Sequence, residues 1–297
     1  MTAKPRELSE KASALLTAPT EDRLAHIDKP VFMPYKHAEA ILAEMEDLLV
    51  HPKTNRMPNM LMVGRSDNGK TEILKEFLKR HPAEDRRELD TIYAPVVYIQ
   101  SPPGPTEHIF LNKFLMMLGA VAHPNDSADR KLMQLMEIIP RIQTKILLID
   151  ELNALLAGSV TKQRFFLNML KYISNELQIS IVAAGTAEAE YAVRSDAQIK
   201  SRFPARILPR WKEDTDFRKL LYNFEYVLPL KQESVIYKGE VSSKLYGLSE
   251  GVIGEVAKIL RSAAKHAIKS GEERITMEVI AECPYVTRKG DDNIDAV

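Results

Sequence analysis

The sequence contains a single cysteine, Cys283, among its 297 residues. An internal disulfide framework is therefore excluded, and a reducing compartment, the cytoplasm, is expected. No apolar run reaches about 18 residues and no N-terminal signal pattern is recognisable, so a membrane span is not expected. The formal net charge is zero. This balance does not exclude DNA binding, because binding depends on the local field of a surface.

Several catalytic patterns are also missing. The seven histidines show neither an H-E-x-x-H spacing nor a cluster with cysteine, so no zinc-type centre is expected. No G-x-S-x-G turn is present, as a serine hydrolase would require. No repeat or low-complexity segment interrupts the chain. With 45% hydrophobic and 28% charged residues, the composition indicates a globular protein with one large domain or two smaller ones.

What the sequence does contain is a complete phosphate-binding pattern, G-x-x-x-x-G-K-[ST], at residues 64–71. Apolar residues at 59–63 predict a buried strand before it, and helically spaced apolar residues at 73–78 predict a helix after it. In such a loop the backbone N–H groups, a lysine and a hydroxyl on Mg²⁺ hold the phosphates at a helix N-terminus. The predicted nucleotide-binding residues are Gly64, Arg65, Ser66, Asp67, Asn68, Gly69, Lys70 and Thr71.

A second informative segment, KILLIDE at 145–151, places two carboxylates after four aliphatic residues. This pattern predicts a central parallel strand whose carboxyl end meets the nucleotide. Asp150 is predicted to bind Mg²⁺ together with Thr71, and Glu151 to orient or deprotonate the attacking water. Successive side chains of a strand point to opposite faces, so the two acids are not expected to share one task. An ordinary strand ending in solvated acids is the alternative, and the upstream phosphate loop favours hydrolysis.

Two further residues are candidates for the same site. A third predicted strand at 179–184 precedes Thr186, which could contact the γ-phosphate or the lytic water; a structural N-cap is the alternative. Arg202, within KSRFPAR at 200–206, is predicted to act as an arginine finger in a neighbouring subunit's site. Arg206 is the alternative finger, and an ordinary surface salt bridge remains the other interpretation of both arginines.

In this order the segments resemble the AAA+ ATPases. The likeness rests on a Walker A loop at 64–71, a Walker B strand ending at Asp150, a sensor-like Thr186, the Ser201-Arg202-Phe203 sequence and a helical tail. It implies an α/β fold in which a P-loop core, a parallel sheet flanked by helices, is followed by a small helical lid. The implied organisation is an N-terminal arm at 1–28, a nucleotide-binding domain at 29–213, a lid at 214–290 and an acidic tail at 291–297.

Within this superfamily the chain is similar to the TniB-type transposition ATPases, relatives of TnsC and MuB. The similarity lies in MPNMLMVGRSDNGKT at 57–71 and VYIQSPPGPT at 97–106. It implies a protein that binds ATP and Mg²⁺, forms a ring or helical filament on double-stranded DNA without strong sequence preference, and activates a DDE transposase. A TniQ-like targeting protein is a possible further partner, and ATP hydrolysis would reset the assembly.

The resemblance also suggests where DNA would be contacted, namely in the segment between the second strand and the Walker B strand. Basic residues there are Lys113, Arg130 and Lys131. A solvated helix face is the alternative for each of them. Contacts to phosphates from several subunits would make binding fall steeply with salt concentration. No base-reading element is recognisable.

One departure from the AAA+ pattern concerns the lid. Glycine occupies position 254, where many relatives carry a sensor-2 arginine, so we expect weak nucleotide sensing by the lid and slow, DNA-stimulated hydrolysis. Two other functions remain open. An initiator or helicase-loader ATPase would share the nucleotide site, although the residues after 214 are taken up by the predicted lid. A non-catalytic scaffold is disfavoured by the intact Asp150 and Glu151.

Overall fold

The computed structural model describes residues 7–288, apart from 87, 89–90, 104–105, 122, 124 and 157. The chain divides into two compact units. The first, here called the α/β unit, consists of Lys36–Ser66 and Lys70–Pro209. The second, the helical unit, consists of the residues up to Tyr35, those from Arg210 onward, and Asp67–Gly69. Within the described residues, no helix has both the length and the apolar character needed to cross a membrane.

Elements are numbered in chain order. The described part of the helical unit forms α1 Glu10–Leu15, α2 Thr20–Asp28, α11 Thr215–Val227, α12 Gly239–Ser249, α13 Ile253–Ser270 and α14 Met277–Glu282. The strands of the α/β unit are β1 Met60–Val63, β2 Glu84–Arg86, β3 Thr91–Tyr93, β4 Val96–Gln100, β5 Ile146–Asp150, β6 Ser180–Gly185 and β7 Ala205–Ile207. Its helices are α3 Lys36–Val50, α4 Lys70–Arg80, α5 Glu107–Met117, α6 Ala128–Arg141, α7 Leu152–Leu155, α8 Val160–Glu176, α9 Ala187–Arg194 and α10 Ala197–Lys200.

Five strands of the α/β unit form one parallel sheet in the order β4-β5-β6-β1-β7. Every residue of β1, β5 and β6 is buried, because a parallel strand covered by helices on both faces has no solvent side. Their near-continuous apolar sequences follow from this burial. The predicted parallel sheet flanked by helices is confirmed. Strands β2 and β3 form a separate antiparallel pair.

Alternate residues of the central strands share one face of the sheet. Leu61, Leu147 and Ile181 belong to the same core cluster as residues of α5, α6 and α8. Aromatic rings also belong to this cluster, and Phe110 packs edge-on against Phe166 with ring centroids 5.4 Å apart. The period-2 alternation of strands therefore orients one set of side chains toward these helices.

The helical unit is built around α13. Its buried residues recur every three or four positions, as expected of a helix with one apolar face: Val256, Ile259, Leu260, Ala263, Ala264, Ala267 and Ile268. They share a core with apolar residues of α2, α11 and α14. Glycine at position 271 ends α13 with a φ of +84°, a left-handed conformation that glycine adopts without a steric penalty.

The described part of the N-terminal segment is largely helical. Residues 7–28, within the segment predicted as an N-terminal arm, contain α1 and α2, and Ile27 lies in the core of the helical unit. The unit boundaries fall at Tyr35 and Arg210, whereas the sequence predicted changes at 28 and 214. Apolar residues and the buried Arg23 tie the N-terminal segment to the C-terminal helices. The acidic tail at 291–297 lies outside the described residues.

Candidate nucleotide-binding site

The strand order brings three of the sequence motifs to one edge of the sheet. Strand β6 lies between β1 and β5, with Val63 in register with Gly185 and Ile149 in register with Ala183. Since the strands are parallel, their carboxyl ends meet at the same edge, where open α/β sheets bind ligands. The phosphate loop, the acids at the end of β5, and Thr186 therefore all leave the sheet there.

Lys70, the first residue of α4, is held inside the loop. Its side chain is buried, and Nζ donates hydrogen bonds to the carbonyl oxygens of Gly64 at 2.9 Å and Arg65 at 2.7 Å. The ammonium thus stabilises the curved backbone of the loop at the start of an 11-residue helix. A helix N-terminus favours bound anions. The arrangement fits a triphosphate at this end of α4.

The carboxylate of Asp150 accepts three hydrogen bonds. Its Oδ2 accepts hydrogen bonds from the Thr71 hydroxyl at 2.8 Å and the Tyr98 hydroxyl at 2.9 Å. Its Oδ1 accepts one from the backbone N–H of Glu151 at 2.9 Å. Asp150 is only 2% exposed, and a buried carboxylate requires such donors. The two predicted Mg²⁺ ligands, Thr71 and Asp150, are therefore in direct contact.

Tyr98 is a site residue that sequence reasoning missed. It lies on β4, next to β5, and burial raises the pKa of its hydroxyl, with the negative charge of Asp150 as the second cause. Tyr98 thus stays protonated and donates to the carboxylate. The available signal was a polar side chain within the apolar segment VVYIQ. Only the pairing of β4 with β5, which is a long-range contact, shows that this hydroxyl reaches Asp150.

The donor set fits Mg²⁺. The ion prefers oxygen ligands, keeps several of its waters and takes one or two carboxylates plus substrate phosphates. A hydroxyl on Thr71 and a carboxylate on Asp150 match that need, and no group of three or more His, Cys, Asp or Glu side chains competes within the described residues. When bound, the ion would neutralise charge on the phosphates.

Glu151 adopts a left-handed backbone conformation, with a φ of +56°. For a residue other than glycine this conformation costs about 1–2 kcal/mol. The strand has ended at Asp150, so the alternation of side chains assumed from the sequence does not extend to Glu151. Strained backbone is concentrated at functional sites, and the half-buried Glu151 follows directly after the magnesium-binding candidate. Its catalytic role remains a prediction.

Thr186 follows β6 and precedes α9. Its side chain makes no hydrogen bond to the backbone N–H groups of that helix. The hydroxyl instead bonds to the side chain of Glu188 and lowers the pKa of that carboxyl. The structural alternative for Thr186, capping of α9 by its hydroxyl, is therefore not what the geometry shows. Contact with a phosphate or with the lytic water remains a prediction.

The two candidate finger arginines have different environments. Arg206, on β7, donates to the carboxylate of Glu44 through both Nε and Nη2, and this interaction raises its pKa. Arg202 has a buried Nη1 that makes no hydrogen bond within the described residues. Burial, and then the charge of Arg56, lowers the pKa of Arg202. Since the N–H groups of Arg206 are already engaged, Arg202 is the better candidate for a finger.

Of the three predicted DNA contacts, one is contradicted by burial. Lys131 is 0% exposed, and its Nζ contacts the ring nitrogens of His108 at 2.6 and 3.0 Å. The residue is one of the buried positions of α6. Its positive charge had suggested an exposed position instead. Arg130 is exposed and pairs with Asp126 at 3.2 Å, and Lys113 on α5 is partly exposed. Only the last two remain candidates.

Comparison with known proteins identifies the fold. The family model described as "Bacterial TniB protein" matches residues 23–213, more than half of the chain. No curated protein matches the sequence. Among solved structures, the Aeropyrum pernix ORC2 protein with bound ADPNP and ADP has a TM-score of 0.64 at 16% identity, covering 86% of this chain and 69% of its own.

Two other solved structures are similar. The Aeropyrum pernix ORC1 protein, solved in complex with DNA, has a TM-score of 0.62 at 18% identity, with 87% of this chain and 67% of that chain covered. Cdc6p from Pyrobaculum aerophilum has a TM-score of 0.60 at 16% identity, with 84% and 67% covered. At such low identity these matches show the fold alone. They confirm the predicted AAA+ P-loop fold.

Proposed function

The chain belongs to the TniB family and is an AAA+ ATPase, and from this premise we propose that it is an ATP-dependent regulator of DNA transposition. In this proposal it forms an oligomer on target DNA, recruits and activates a DDE transposase, and is reset by hydrolysis. A TniQ-like protein is a further proposed partner. The contact between Thr71 and Asp150, beside a buried Lys70, carries the nucleotide part of the proposal. Family membership supports the transposition part.

Each residue of the site has a proposed task. Lys70 holds the loop closed and supplies positive charge to the β- and γ-phosphates. Thr71 and Asp150 would hold Mg²⁺. Glu151 orients the attacking water and accepts its proton, and thus acts as a general base. Thr186, at the end of the strand between the loop and these acids, contacts the γ-phosphate or the water.

Assembly is proposed to complete this site. A finger must reach charge that develops on a neighbour's γ-phosphate, so its guanidinium should not be neutralised within its own chain. Arg202 meets this condition better than Arg206, because Glu44 already binds Arg206. Hydrolysis would therefore be fast only when protomers stand side by side. Double-stranded DNA, contacted through phosphates by Lys113 and Arg130, would align them.

The second candidate is an initiator or helicase-loader ATPase. It is favoured by the structural similarity to the ORC and Cdc6 proteins, which is a similarity of fold. Both candidates use the same nucleotide site, so they differ only in the partner activated. A strand-transfer assay with a DDE transposase separates them from each other, because only the transposition regulator would stimulate that reaction.

The proposal is tested by nucleotide-dependent assembly on DNA. Fluorescence anisotropy of a labelled duplex and negative-stain imaging would compare the protein without nucleotide, with ADP, and with ATP or a slowly hydrolysed analogue. We expect multimers on DNA only with the triphosphate, and binding that weakens steeply with salt. Lys70→Ala, which removes the loop cation, should abolish assembly. A wild-type protein that stays monomeric and ignores DNA in every nucleotide state would refute the proposal.

A further inference from the structure

The tip of the phosphate loop belongs to the helical unit. In Asp67–Gly69 the carbonyl oxygen of Asp67 accepts a hydrogen bond from the backbone N–H of Gly254 at 2.8 Å. Gly254 lies in the first turn of α13. A Cβ atom at this position would lie 2.5 Å from that carbonyl oxygen and 2.7 Å from the Asp67 Cβ. Only glycine permits this approach, so a side chain at position 254 would not fit in this arrangement.

One turn further along α13, Lys258 places a positive charge beside the same loop residue. Lys258 Nζ lies 2.5 Å from Oδ2 of Asp67 and 3.0 Å from Oε1 of Glu255. The hydrogen bond to Asp67 is the main cause that raises the pKa of Lys258, so the ammonium stays charged. Both side chains of the Lys258–Asp67 pair are about half exposed, at 41% and 52%. Solvent therefore screens the pair, and its effect should be moderate.

An aspartate at position 67 of the phosphate loop is unfavourable for two reasons, one conformational and one electrostatic. Its φ of +59° is in the left-handed region that L side chains rarely adopt. Its carboxylate also puts a negative charge into a loop that would bind a triphosphate, and like charges at short distance repel. A cation beside the carboxylate reduces this repulsion. The backbone bond from Gly254 and the ion pair with Lys258 together hold Asp67 in its unusual conformation.

We propose that Lys258 is a positioning residue for ATP binding, which acts by neutralising Asp67 and fixing the tip of the phosphate loop. The inference rests on the proposed ATP site and names a lid residue that serves it. Lys258 acts through Asp67 and not through contact with the nucleotide. Removing Lys258 should therefore weaken ATP binding while Asp67 keeps its charge, and should matter little once that charge is gone.

A double-mutant cycle tests this inference. Dissociation constants for ATP would be measured by titration calorimetry for the wild type, Lys258→Met, Asp67→Asn and the double variant. Asparagine tolerates the left-handed conformation and removes the charge. We expect Lys258→Met to raise Kd about three- to fivefold, since half-exposed pairs have moderate energies. In the Asp67→Asn background the same substitution should change Kd by less than about twofold.

Two further variants separate this role from a general effect on α13. Lys258→Arg keeps the charge and should restore near wild-type affinity. Lys269→Met removes an equal charge from an exposed position of the same helix and should leave Kd unchanged. In turnover measurements Lys258→Met should raise KM for ATP without lowering kcat, because the ion pair positions the loop and takes no part in bond cleavage.

The outcomes distinguish the inference from the proposal on which it rests. If the wild type fails to bind ATP, the proposed function is wrong. If the wild type binds and Lys258→Met has no effect, the inference is wrong. An equal loss in both backgrounds would also overturn it, because Lys258 would then act independently of Asp67.

Discussion

The α/β unit and the helical unit organise their polar contacts in different ways. In the α/β unit the polar contacts of the candidate site gather at the carboxyl edge of the sheet, where the Thr71 hydroxyl at the start of α4 donates to Asp150 at the end of β5. In the helical unit they join distant parts of the chain. The guanidinium of Arg23 binds both carboxylate oxygens of Glu273, 250 residues away, and the carbonyl oxygen of Pro229. Thr71 and Asp150 both belong to recognisable sequence motifs, whereas Arg23 and Glu273 do not.

The buried Arg23–Glu273 pair shows what the second kind of contact contributes. The side chains are 3% and 13% exposed, so neither charge is well solvated. A buried pair adds little net stability over an apolar one, but removing one partner is costly, because the other charge is left without compensation. The pair thereby ties the N-terminal helices to the C-terminal ones. This comparison predicts that substitutions of the catalytic candidates Arg202 and Glu151 in the α/β unit will affect turnover, whereas those at this pair will affect stability.

The largest expected effect is that of Arg202→Ala, in the α/β unit. Loss of an arginine finger should lower the turnover of the DNA-bound assembly about 10³-fold and leave the basal rate of the monomer unchanged. ATPase assays at increasing protein concentration with and without DNA would measure this. Mixing the variant with Glu151→Gln subunits, which bind ATP and retain Arg202, should restore part of the activity. A complete lack of rescue at every mixing ratio would count against action between subunits.

Glu151→Gln should lower kcat about 10²-fold through loss of the general base, while ATP binding and the melting temperature stay near wild type. Single-turnover kinetics and calorimetry would measure the two quantities. Glutamine keeps the size of the side chain, so the left-handed turn at Glu151 should survive. Wild-type turnover in this variant would remove Glu151 from the mechanism.

In the helical unit, Glu273→Gln should lower the free energy of unfolding by about 2 kcal/mol at neutral pH. The hydrogen bond from Arg23 holds the pKa of Glu273 below its ordinary value. The charged carboxylate of Glu273 therefore stabilises the folded protein above the pKa of the unfolded state, near 4.5. This stabilisation is lost as the pH falls through the lower pKa of the folded state.

Denaturant unfolding at several pH values would measure this effect. The difference between wild type and Glu273→Gln should shrink as the pH falls from about 7 to about 3. A difference that stays constant over this range would show that the charge of Glu273 is not what stabilises the unit.

The smallest expected effect is that of Tyr98→Phe. The substitution removes one of the three donors to Asp150 and leaves the bonds from Thr71 and the Glu151 backbone. We expect a loss of about 1 kcal/mol in the free energy of unfolding, with ATP still bound. Tyr172→Phe, at a residue that is 46% exposed, is the matched control and should be neutral. Equal effects in the two variants would mean that the bond to Asp150 contributes nothing.

Most of the α/β fold could be predicted from the sequence. The apolar segments predicted as strands at 59–63, 145–151 and 179–184 correspond to the central strands β1, β5 and β6. Parallel strands end at one edge, so the convergence of the loop, the acids and Thr186 followed from strand type alone. The TniB resemblance, confirmed by the family match, rested on the same motifs.

Other features could not be predicted, because they depend on which side of an element packs against what. The DNA contact predicted for Lys131 was wrong, since the residue faces the core beside His108. The role of Tyr98 required the pairing of β4 with β5. The packing of the N-terminal helices was not predicted either, because their polar composition does not show the distant partner of Arg23.

The sequence by itself determined the nucleotide chemistry of this protein. A phosphate loop and a strand that ends in Asp-Glu require particular residue types at fixed spacings. Such spacings can be found in the sequence without knowledge of the fold. The tertiary structure alone decided which charges are neutralised and by what: Glu44 for Arg206, Asp67 for Lys258 across 191 residues, and hydroxyl donors for Asp150. The physical reason is that charge compensation acts over a few ångströms in space, without regard to separation along the chain.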